Sequence, residues 1–370
     1  MPFLSARRWL LLALLLSVGI AVWQRQAAQT PPAPRPQLSA ATAAGPPPAD
    51  GRLRGVSWVA GDSASSSDME PLVQARVTWI AQTPFGWQAG AAVPEVRLHT
   101  GRGSRHYWGE SDAGLVQTAK QARQRGIQTL LKPHLWLRGG TGSWPGDINM
   151  TTEADWQQWF ASYSVFILHY AQLAEAHRMA ALCIGTELQH ATAGHEAEWR
   201  ALIARVRQVY HGPLTYAANW SGEFEQIQFW DALDFIGIQA YFPLSKTASP
   251  DKAALLKAWQ EPFRRIRAVQ KRYKKPVVFT EIGYKTTPDA AIEPWAWPDR
   301  MAVLTTADEA TQAACYAAMF ETFWPEKWFR GLFVWKWYPG LAPDRSARRH
   351  LDFTPQHKPA EQVMTEWFGR

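Results

Sequence analysis

Cysteine is scarce in this sequence, which has two cysteines, Cys183 and Cys315, in 370 residues. A pair this far apart is no disulfide framework, and no cysteines or histidines stand at the spacing of a zinc site. A folded unit of this length buries enough apolar surface to be stable without disulfides. We therefore predict two buried thiols, no metal site and no cofactor.

Excess charge of one sign is nearly absent from most of the chain. The formal net charge is +7, but residues 1–54, with six Arg and one Asp, carry +5 of it and leave +2 for the rest. Nucleic-acid binding needs a basic surface that follows the phosphates. The charge distribution therefore predicts no nucleic-acid partner.

Long apolar runs are limited to one, from Trp9 to Trp23 behind Arg7 and Arg8. It is short for a full membrane span, and predicts either a cleaved signal peptide or an uncleaved signal anchor over 1–25. An Ala/Pro-rich linker follows over 26–50, which leaves 51–370 as the folded domain. We expect an exported protein, periplasmic or extracellular, whose only membrane contact is an N-terminal tether at the inner membrane if the segment is not cleaved.

The rest of the chain alternates between apolar β-type runs and helical runs. Apolar spacing predicts helices over 112–125, 152–177, 194–210, 251–274 and 308–327, with shorter ones near 68–75 and 223–231. Eight strands are predicted at 54–59, 76–82, 127–136, 181–187, 213–220, 233–242, 276–283 and 330–338. Such alternation gives a parallel sheet with right-handed crossovers, and eight units close into a barrel. The predicted fold class is α/β, a (β/α)8 TIM barrel in a single domain.

Two of these strands end in a carboxylate. ALCIGTEL, over 181–188, contains Glu187, and PVVFTEIGY, over 276–284, contains Glu281. Their separation of 94 residues spans about three βα units and places them on strands 4 and 7, at the rim where barrel enzymes carry their chemistry. Two facing carboxylates suit glycoside hydrolysis, with one as acid and the other as nucleophile or base. The simpler interpretation is an ion pair for each Glu.

The sequence from about Gly55 to the C-terminus resembles glycoside hydrolase family 113, known for β-mannanases, in clan A of the glycoside hydrolases. The resemblance is carried by GVSW, VTWIAQTPFGWQ, LLKPHLW, IGTEL, FIGIQAYFPL, FTEIGY and FTPQHKPA. It implies a retaining double displacement with Glu281 as nucleophile and Glu187 as acid/base. Larger families of the clan have an Asn before the acid/base. Here Thr186 stands there, and Asn219 is the candidate to grip the sugar 2-hydroxyl instead.

Strand alternation predicts a partner for the nucleophile. Phe279 and Glu281 are expected to share one face of their strand, and Gln239 and Tyr241 one face of the preceding strand. Tyr241 would then hydrogen-bond Glu281 and hold it ionised. The alternative is that Tyr241 only packs.

The third predicted strand brings three polar or aromatic residues to the rim. Lys132, His134 and Trp136 alternate and are expected to share a face. We interpret His134 as a donor to sugar hydroxyls rather than a metal ligand, because no second His lies at ligand spacing on a neighbouring strand end. An ion pair with a carboxylate is the favoured role of Lys132, ahead of a Schiff base.

Tryptophan is abundant, with 21 residues. Pyranose rings pack their C–H faces flat on indole rings. Trp335, at the end of the last strand, is predicted to form the floor of the central subsite, and Trp58, Trp87, Trp136 and Trp220 to line the cleft. For each of them core packing is the alternative.

These observations predict a retaining β-glycoside hydrolase that acts on β-1,4-mannan or manno-oligosaccharides. One alternative is the same mechanism on another β-linked polysaccharide, since the loops select the sugar. Two others are a non-catalytic envelope barrel that binds glycans and a metal-dependent barrel hydrolase. The oligomeric state is not predicted.

Overall fold

The computed structural model describes residues 49–98, 108–138, 144–298, 306–343 and 350–370. The predicted signal segment over 1–25 and nearly all of the linker over 26–50 lie outside these residues. Within them, no helix combines the length and the apolar character needed to cross a bilayer.

Eight parallel strands form a closed barrel, as predicted. The strands of the described residues are β1 (Leu53–Trp58), β2 (Trp79–Gln82), β3 (Phe85–Gln88), β4 (Val96–Arg97), β5 (Gln128–Leu131), β6 (His134–Leu137), β7 (Ala181–Thr186), β8 (Leu214–Asn219), β9 (Ile236–Gln239), β10 (Val277–Ile282) and β11 (Phe329–Trp337). Around the barrel the order is β1-β11-β10-β9-β8-β7-β5-β2, while β4-β3-β6 forms a separate small sheet. The chain is therefore a (β/α)8 TIM barrel whose fourth and seventh strands are β7 and β10.

Helices surround the barrel; each predicted helix has a counterpart, while the short helix over 189–192 and the last helix over 359–368 were not predicted. Their bounds are α1 (Glu70–Gln74), α2 (Asp112–Gln124), α3 (Glu153–Ala176), α4 (Gln189–Thr192), α5 (Glu196–Arg207), α6 (Glu223–Gln226), α7 (Lys252–Ala258), α8 (Gln260–Tyr273), α9 (Glu309–Phe323) and α10 (Pro359–Phe368). The expected helix over 251–274 is two helices that meet at the buried Trp259.

The core has two parts. A small cluster inside the barrel draws its side chains from the strands and their ends, and includes Cys183, Val278 and Phe333. The larger cluster fills the space between strands and helices. Cys183 and Cys315 are both free and buried, as predicted, and burial raises the pKa of Cys183 to about 11. The barrel thus has a packed interior, which leaves its rim as the place for polar groups.

The prediction of one strand over 127–136 is wrong. The barrel strand β5 ends at Leu131, and β6 pairs with β3 in the small sheet, where His134 lies opposite Phe85. Between them is Pro133, which has no N–H to continue a ladder. The chain changes sheets there, and Lys132 stays at the barrel rim.

The predicted alternation along β10 is also wrong. Phe279 points outwards, with its ring 4.8 Å from that of Phe323 on α9, whereas Val278 lies inside the barrel. The pairing of β10 with both neighbours shifts register between Phe279 and the residues that follow. A bulge of this kind re-aims the next side chains, and it turns Glu281 towards the mouth.

Candidate active site

Glu187 and Glu281 lie at the same end of the barrel. Glu187 directly follows β7, and Glu281 is the penultimate residue of β10. Glu281 is 5% exposed, whereas Glu187 is half-buried. The negative charge of Glu281 contributes to the pKa of Glu187. The two carboxyl groups therefore belong to one site.

Glu281 is held by charged and neutral donors from neighbouring strands. The fully buried Lys132 ammonium hydrogen-bonds Glu281 Oε1 and donates to the Thr280 carbonyl at 3.2 Å. The Tyr241 hydroxyl donates to Oε2 at 2.9 Å. Burial by itself raises the pKa of Glu281. The Lys132 charge and the hydrogen bonds to the carboxylate together outweigh burial and hold this pKa below its ordinary value. The predicted Tyr241 contact and Lys132 ion pair are both present.

Gln239 gives Glu281 a further donor. Gln239 lies opposite Glu281 in the pairing of β9 with β10. The Thr280 hydroxyl donates to Gln239 Oε1 at 3.0 Å, so the amide nitrogen is the end left to donate to the carboxylate. The hydrogen bond from Gln239 also lowers the pKa of Glu281.

His134 lies beside this ion pair as a neutral ring. Its Nε2 is 3.8 Å from Glu281 Oε1. Burial, with the Lys132 charge, lowers the pKa of His134 to about 3, so the ring carries no charge near neutral pH. Its buried Nε2 has no hydrogen-bond partner within the described ranges. Its role as a contact for sugar hydroxyls stays a prediction.

Glu187 has a different environment, because its donors are neutral. Asn219 Nδ2 donates to Oε1 at 2.7 Å, and Trp144 Nε1 donates to Oε2 at 3.2 Å. No ion pair of Glu187 with a basic side chain occurs in the part of the chain that the structure describes. Burial, with the nearby charge of Glu281, raises the pKa of Glu187 to about 7. This carboxyl therefore holds a proton far more readily than Glu281 does.

The backbone at Glu187 is in the left-handed region, with φ at 52°. A non-glycine residue in this region costs about 1–3 kcal/mol. The turn is held from β8: Glu187 N–H donates to the Ala217 carbonyl at 2.9 Å, and Leu188 N–H donates to the Tyr216 hydroxyl at 2.7 Å. These two bonds aim the Glu187 side chain across the mouth.

Asn219 is oriented by its own turn. Ser221 N–H donates to Asn219 Oδ1 at 2.7 Å, so Nδ2 is the end that meets Glu187. The predicted contact of Asn219 with a sugar hydroxyl stays a prediction, and the structure adds its bond to the Glu187 carboxyl.

The tryptophans predicted to line the cleft differ in exposure. Trp58 is 5% exposed and belongs to the core, which favours the packing alternative for this residue. Trp335 is half-buried on β11, beside the strand that carries Glu281. Trp136 is 54% exposed on β6, and its ring lies 6.1 Å from that of Trp87. The roles of Trp335 and Trp136 as contacts for a sugar stay predictions.

Several features of the site were not singled out from sequence. Trp144 binds Glu187 from the loop after β6, a stretch whose only signal was its length and its content of Gly, Pro and Trp. Trp295, in the loop after β10, is 44% exposed and stacks on Trp220 with ring centroids 5.0 Å apart. Neither residue lies in a periodic pattern that predicts its direction.

The described ranges contain no group of three or more His, Cys, Asp or Glu that could hold a metal ion. The site contains two carboxyl groups whose pKa values are shifted in opposite directions, a neutral imidazole and aromatic side chains.

The barrel carries two carboxyl groups at the C-terminal ends of its strands, and their pKa values are shifted in opposite directions. This arrangement is typical of a glycoside hydrolase. The model of Glycoside Hydrolase Family 113 matches residues 56–368. The chain therefore belongs to this family, as its motifs indicated.

Solved structures of the family are similar over nearly their whole length. A GH113 β-1,4-mannanase solved as a complex is 27% identical with a TM-score of 0.72, over 86% of this chain and 98% of that one. The GH113 β-mannanase AaManA from Alicyclobacillus acidocaldarius, in complex with ManMIm, is 28% identical with a TM-score of 0.73, over 86% and 97%.

A β-glucuronidase from Ruminococcus gnavus shares the fold alone, at 14% identity and a TM-score of 0.55, over 86% of this chain and 49% of that one. No curated protein sequence matches the chain.

Proposed function

We propose that the protein is a retaining β-glycoside hydrolase that acts on β-1,4-mannan or manno-oligosaccharides. The observation that carries the proposal is the contrast in proton affinity between Glu187 and Glu281. A double displacement needs one carboxylate that is ionised and one carboxyl that is protonated at the same pH. The family relatives that are β-mannanases supply the substrate class.

Glu281 is the nucleophile in this mechanism. Lys132 and Tyr241 keep its carboxylate ionised and fixed in place, so that it can attack the anomeric carbon. Glu187, with a pKa of about 7, donates its proton to the departing glycosidic oxygen. The product of this step is a glycosyl ester on Glu281.

The second half of the reaction requires Glu187 to act as a base. Once Glu281 is an ester, its negative charge is gone, and that charge is one of the factors that raise the pKa of Glu187. The pKa of Glu187 therefore falls after the first step, which suits removal of a proton from the incoming water.

The test is hydrolysis of a panel of soluble β-mannan, β-glucan and xylan by the purified protein. We expect reducing ends from mannan, with the β-anomer formed first in a ¹H NMR time course. An α-anomer formed first would reject the retaining mechanism, and release from another glycan would replace the substrate.

The same panel separates the remaining alternatives. Binding without release from any glycan would favour a non-catalytic glycan-binding barrel. Loss of release after treatment with a chelator, and its recovery with a divalent metal, would favour a metal-dependent hydrolase.

We also propose that the protein is exported and works in the periplasm or outside the cell. Support comes from the apolar run Trp9–Trp23 behind Arg7 and Arg8 and from the Ala/Pro-rich stretch that follows. Cell fractionation with an antibody to the folded domain tests this. Recovery with the membrane fraction indicates an uncleaved anchor, recovery in the soluble exported fraction a cleaved signal, and recovery in the cytoplasm rejects export.

A further inference from the structure

A third carboxyl group, Glu223, lies close behind the candidate active site. Glu223 begins the short helix α6 and is 1% exposed. It accepts hydrogen bonds from Tyr216 OH at 2.6 Å and from Asn219 N–H at 2.6 Å. The Thr192 hydroxyl on α4 lies 3.1 Å from its Oε1. The mechanism above gives this buried group no part.

Two of these contacts lead directly to Glu187. The Tyr216 hydroxyl accepts from Leu188 N–H at 2.7 Å, directly after Glu187. Asn219, whose N–H binds Glu223, donates its side-chain amide to Glu187 Oε1 at 2.7 Å. Glu223 is therefore one residue removed from both the backbone turn and the carboxyl group of Glu187.

The local chain is arranged to bring Glu223 back to this position. Gly222, immediately before it, has φ at +89°, a conformation that L side chains rarely adopt. The chain reverses there, and the carboxyl of Glu223 returns to the N–H of Asn219, four positions earlier.

Stability alone does not account for a carboxyl at this place. Burying an ionisable group without a cation is unfavourable, and the hydrogen-bond partners of Glu223 among the described residues are neutral. Burial first, with the charge of Glu187 contributing, raises the pKa of Glu223 to about 8. A group that is unfavourable to bury and that contacts both supports of a reactive carboxyl fits a positioning role.

We propose that Glu223 is a positioning residue that holds the proton of Glu187 in line with the departing glycosidic oxygen, through Tyr216 on one side and Asn219 on the other. The inference rests on the proposed function, because it assigns Glu187 as the acid. It goes beyond that function by placing a third carboxyl and a tyrosine in the apparatus that delivers the proton.

The experiment compares two substrates that differ in their need for an acid. The substrates are two aryl β-mannobiosides. The 2,4-dinitrophenolate of the first leaves without protonation, whereas the 4-methylphenolate of the second must be protonated as it leaves. The parameter is kcat/KM, which reports the steps up to the glycosyl ester. The variants are Glu223→Ala and Tyr216→Phe, measured in the full-length protein with thermal unfolding as the check on folding.

For Glu223→Ala we expect kcat/KM on the 4-methylphenyl substrate to fall about 10- to 100-fold, because a misplaced group about 1 Å from its productive position loses catalysis on this scale. The 2,4-dinitrophenyl substrate should lose less than about threefold, since the same displacement does not affect a step without proton transfer. Tyr216→Phe removes one hydroxyl, and it should show the same selectivity with a smaller loss if the alanine variant does not fold.

The matched control is Glu225→Ala, two positions along α6. The Glu225 carboxylate pairs with Arg265 at 2.6 Å and does not contact Glu187 or its supports. This variant should leave kcat/KM unchanged on both substrates. Equal losses on both substrates in the Glu223 and Tyr216 variants, or no loss, would overturn the positioning role. If the wild-type protein cleaves neither mannobioside, the proposed function fails instead, and that outcome is distinct from the first.

Discussion

Glu187 and Glu281 lie at the ends of strands of one barrel, but their surroundings differ in kind. Around Glu281 are the Lys132 ammonium and the Tyr241 hydroxyl. Around Glu187 are an amide and an indole N–H, both neutral. The pKa of one carboxyl is held low and that of the other is raised to about 7.

The difference shows that burial alone does not set the protonation state. Burial raises the pKa of both groups, and Glu281, which exposes less surface, is the more acidic of the two. The partners therefore decide which group is ionised: the Lys132 charge and the hydrogen bonds lower the pKa of Glu281, whereas the charge of Glu281 adds to the effect of burial at Glu187. Substitutions of each carboxyl and of Lys132 test whether the difference in pKa determines the roles of the two groups in the reaction.

The largest effect is expected at Glu281. Glu281→Ala should lower kcat/KM on mannan by about 10⁴-fold or more, because no group remains to form the ester. With an activated aryl β-mannobioside, added azide should restore turnover in a single displacement and give the α-mannosyl azide, identified by ¹H NMR. A β-azide from this variant would show that another residue still acts as nucleophile.

At Glu187 the expected loss depends on the leaving group. Glu187→Ala should lower kcat/KM on mannan by about 10²- to 10⁴-fold, but only slightly on the 2,4-dinitrophenyl substrate. Azide should here intercept the ester and give the β-mannosyl azide by two displacements. The same azide anomer from both alanine variants would contradict the assignment of different roles to Glu187 and Glu281.

Lys132→Met should move the pH profile of kcat/KM. The Lys132 charge lowers the pKa of both carboxyls, and Glu281 is the group it contacts. Activity is lost on the acid side as Glu281 is protonated, so the acid limb should shift to higher pH, by about one unit or more. The alkaline limb should rise less. Unchanged limbs would mean that Lys132 is only structural.

The smallest effect is on stability. The pKa of Glu187 is about 7 in the folded protein against an ordinary 4.5, so between these values the folded state keeps a proton that the unfolded chain releases. Folding stability therefore falls as pH rises through this window and stays lower above it. Glu187→Gln should raise Tm by about 2 °C or more at pH 8, and by less at pH 4. Equal shifts at both pH values would contradict the raised pKa.

Much of this arrangement follows from sequence patterns. Apolar strands followed by a carboxylate predicted both the barrel and the strands of Glu187 and Glu281, because strand ends of a parallel barrel meet at one rim. For the two carboxylates the pattern sufficed, since a buried strand leaves little freedom in where its end lies. The predicted bond of Tyr241 to Glu281 is also present, although the alternation from which it was predicted does not hold, because a bulge separates Glu281 from the face of Phe279.

The remainder depends on local departures from regular structure. The bulge in β10 reverses the face on which Glu281 is expected, and alternation cannot signal a bulge. Pro133 was a visible sign that the predicted third strand is interrupted. Trp144 reaches Glu187 from an irregular loop, and Glu223 returns to the site through a glycine turn, so tertiary packing sets both positions.

The donors around Glu281 also bear on synthesis. If Glu281 is replaced by glycine, the Lys132 ammonium and the Tyr241 hydroxyl are left facing an emptied space, and a small halide ion suits such a pair of donors. If the proposed mechanism holds, an α-mannobiosyl fluoride bound there would lose fluoride into this space while Glu187, as the base, would take the proton of a sugar hydroxyl that attacks in place of water. Without a nucleophile to reopen the new β-linkage, we expect the variant to build oligosaccharides, and the barrel would serve as a catalyst for assembling mannan.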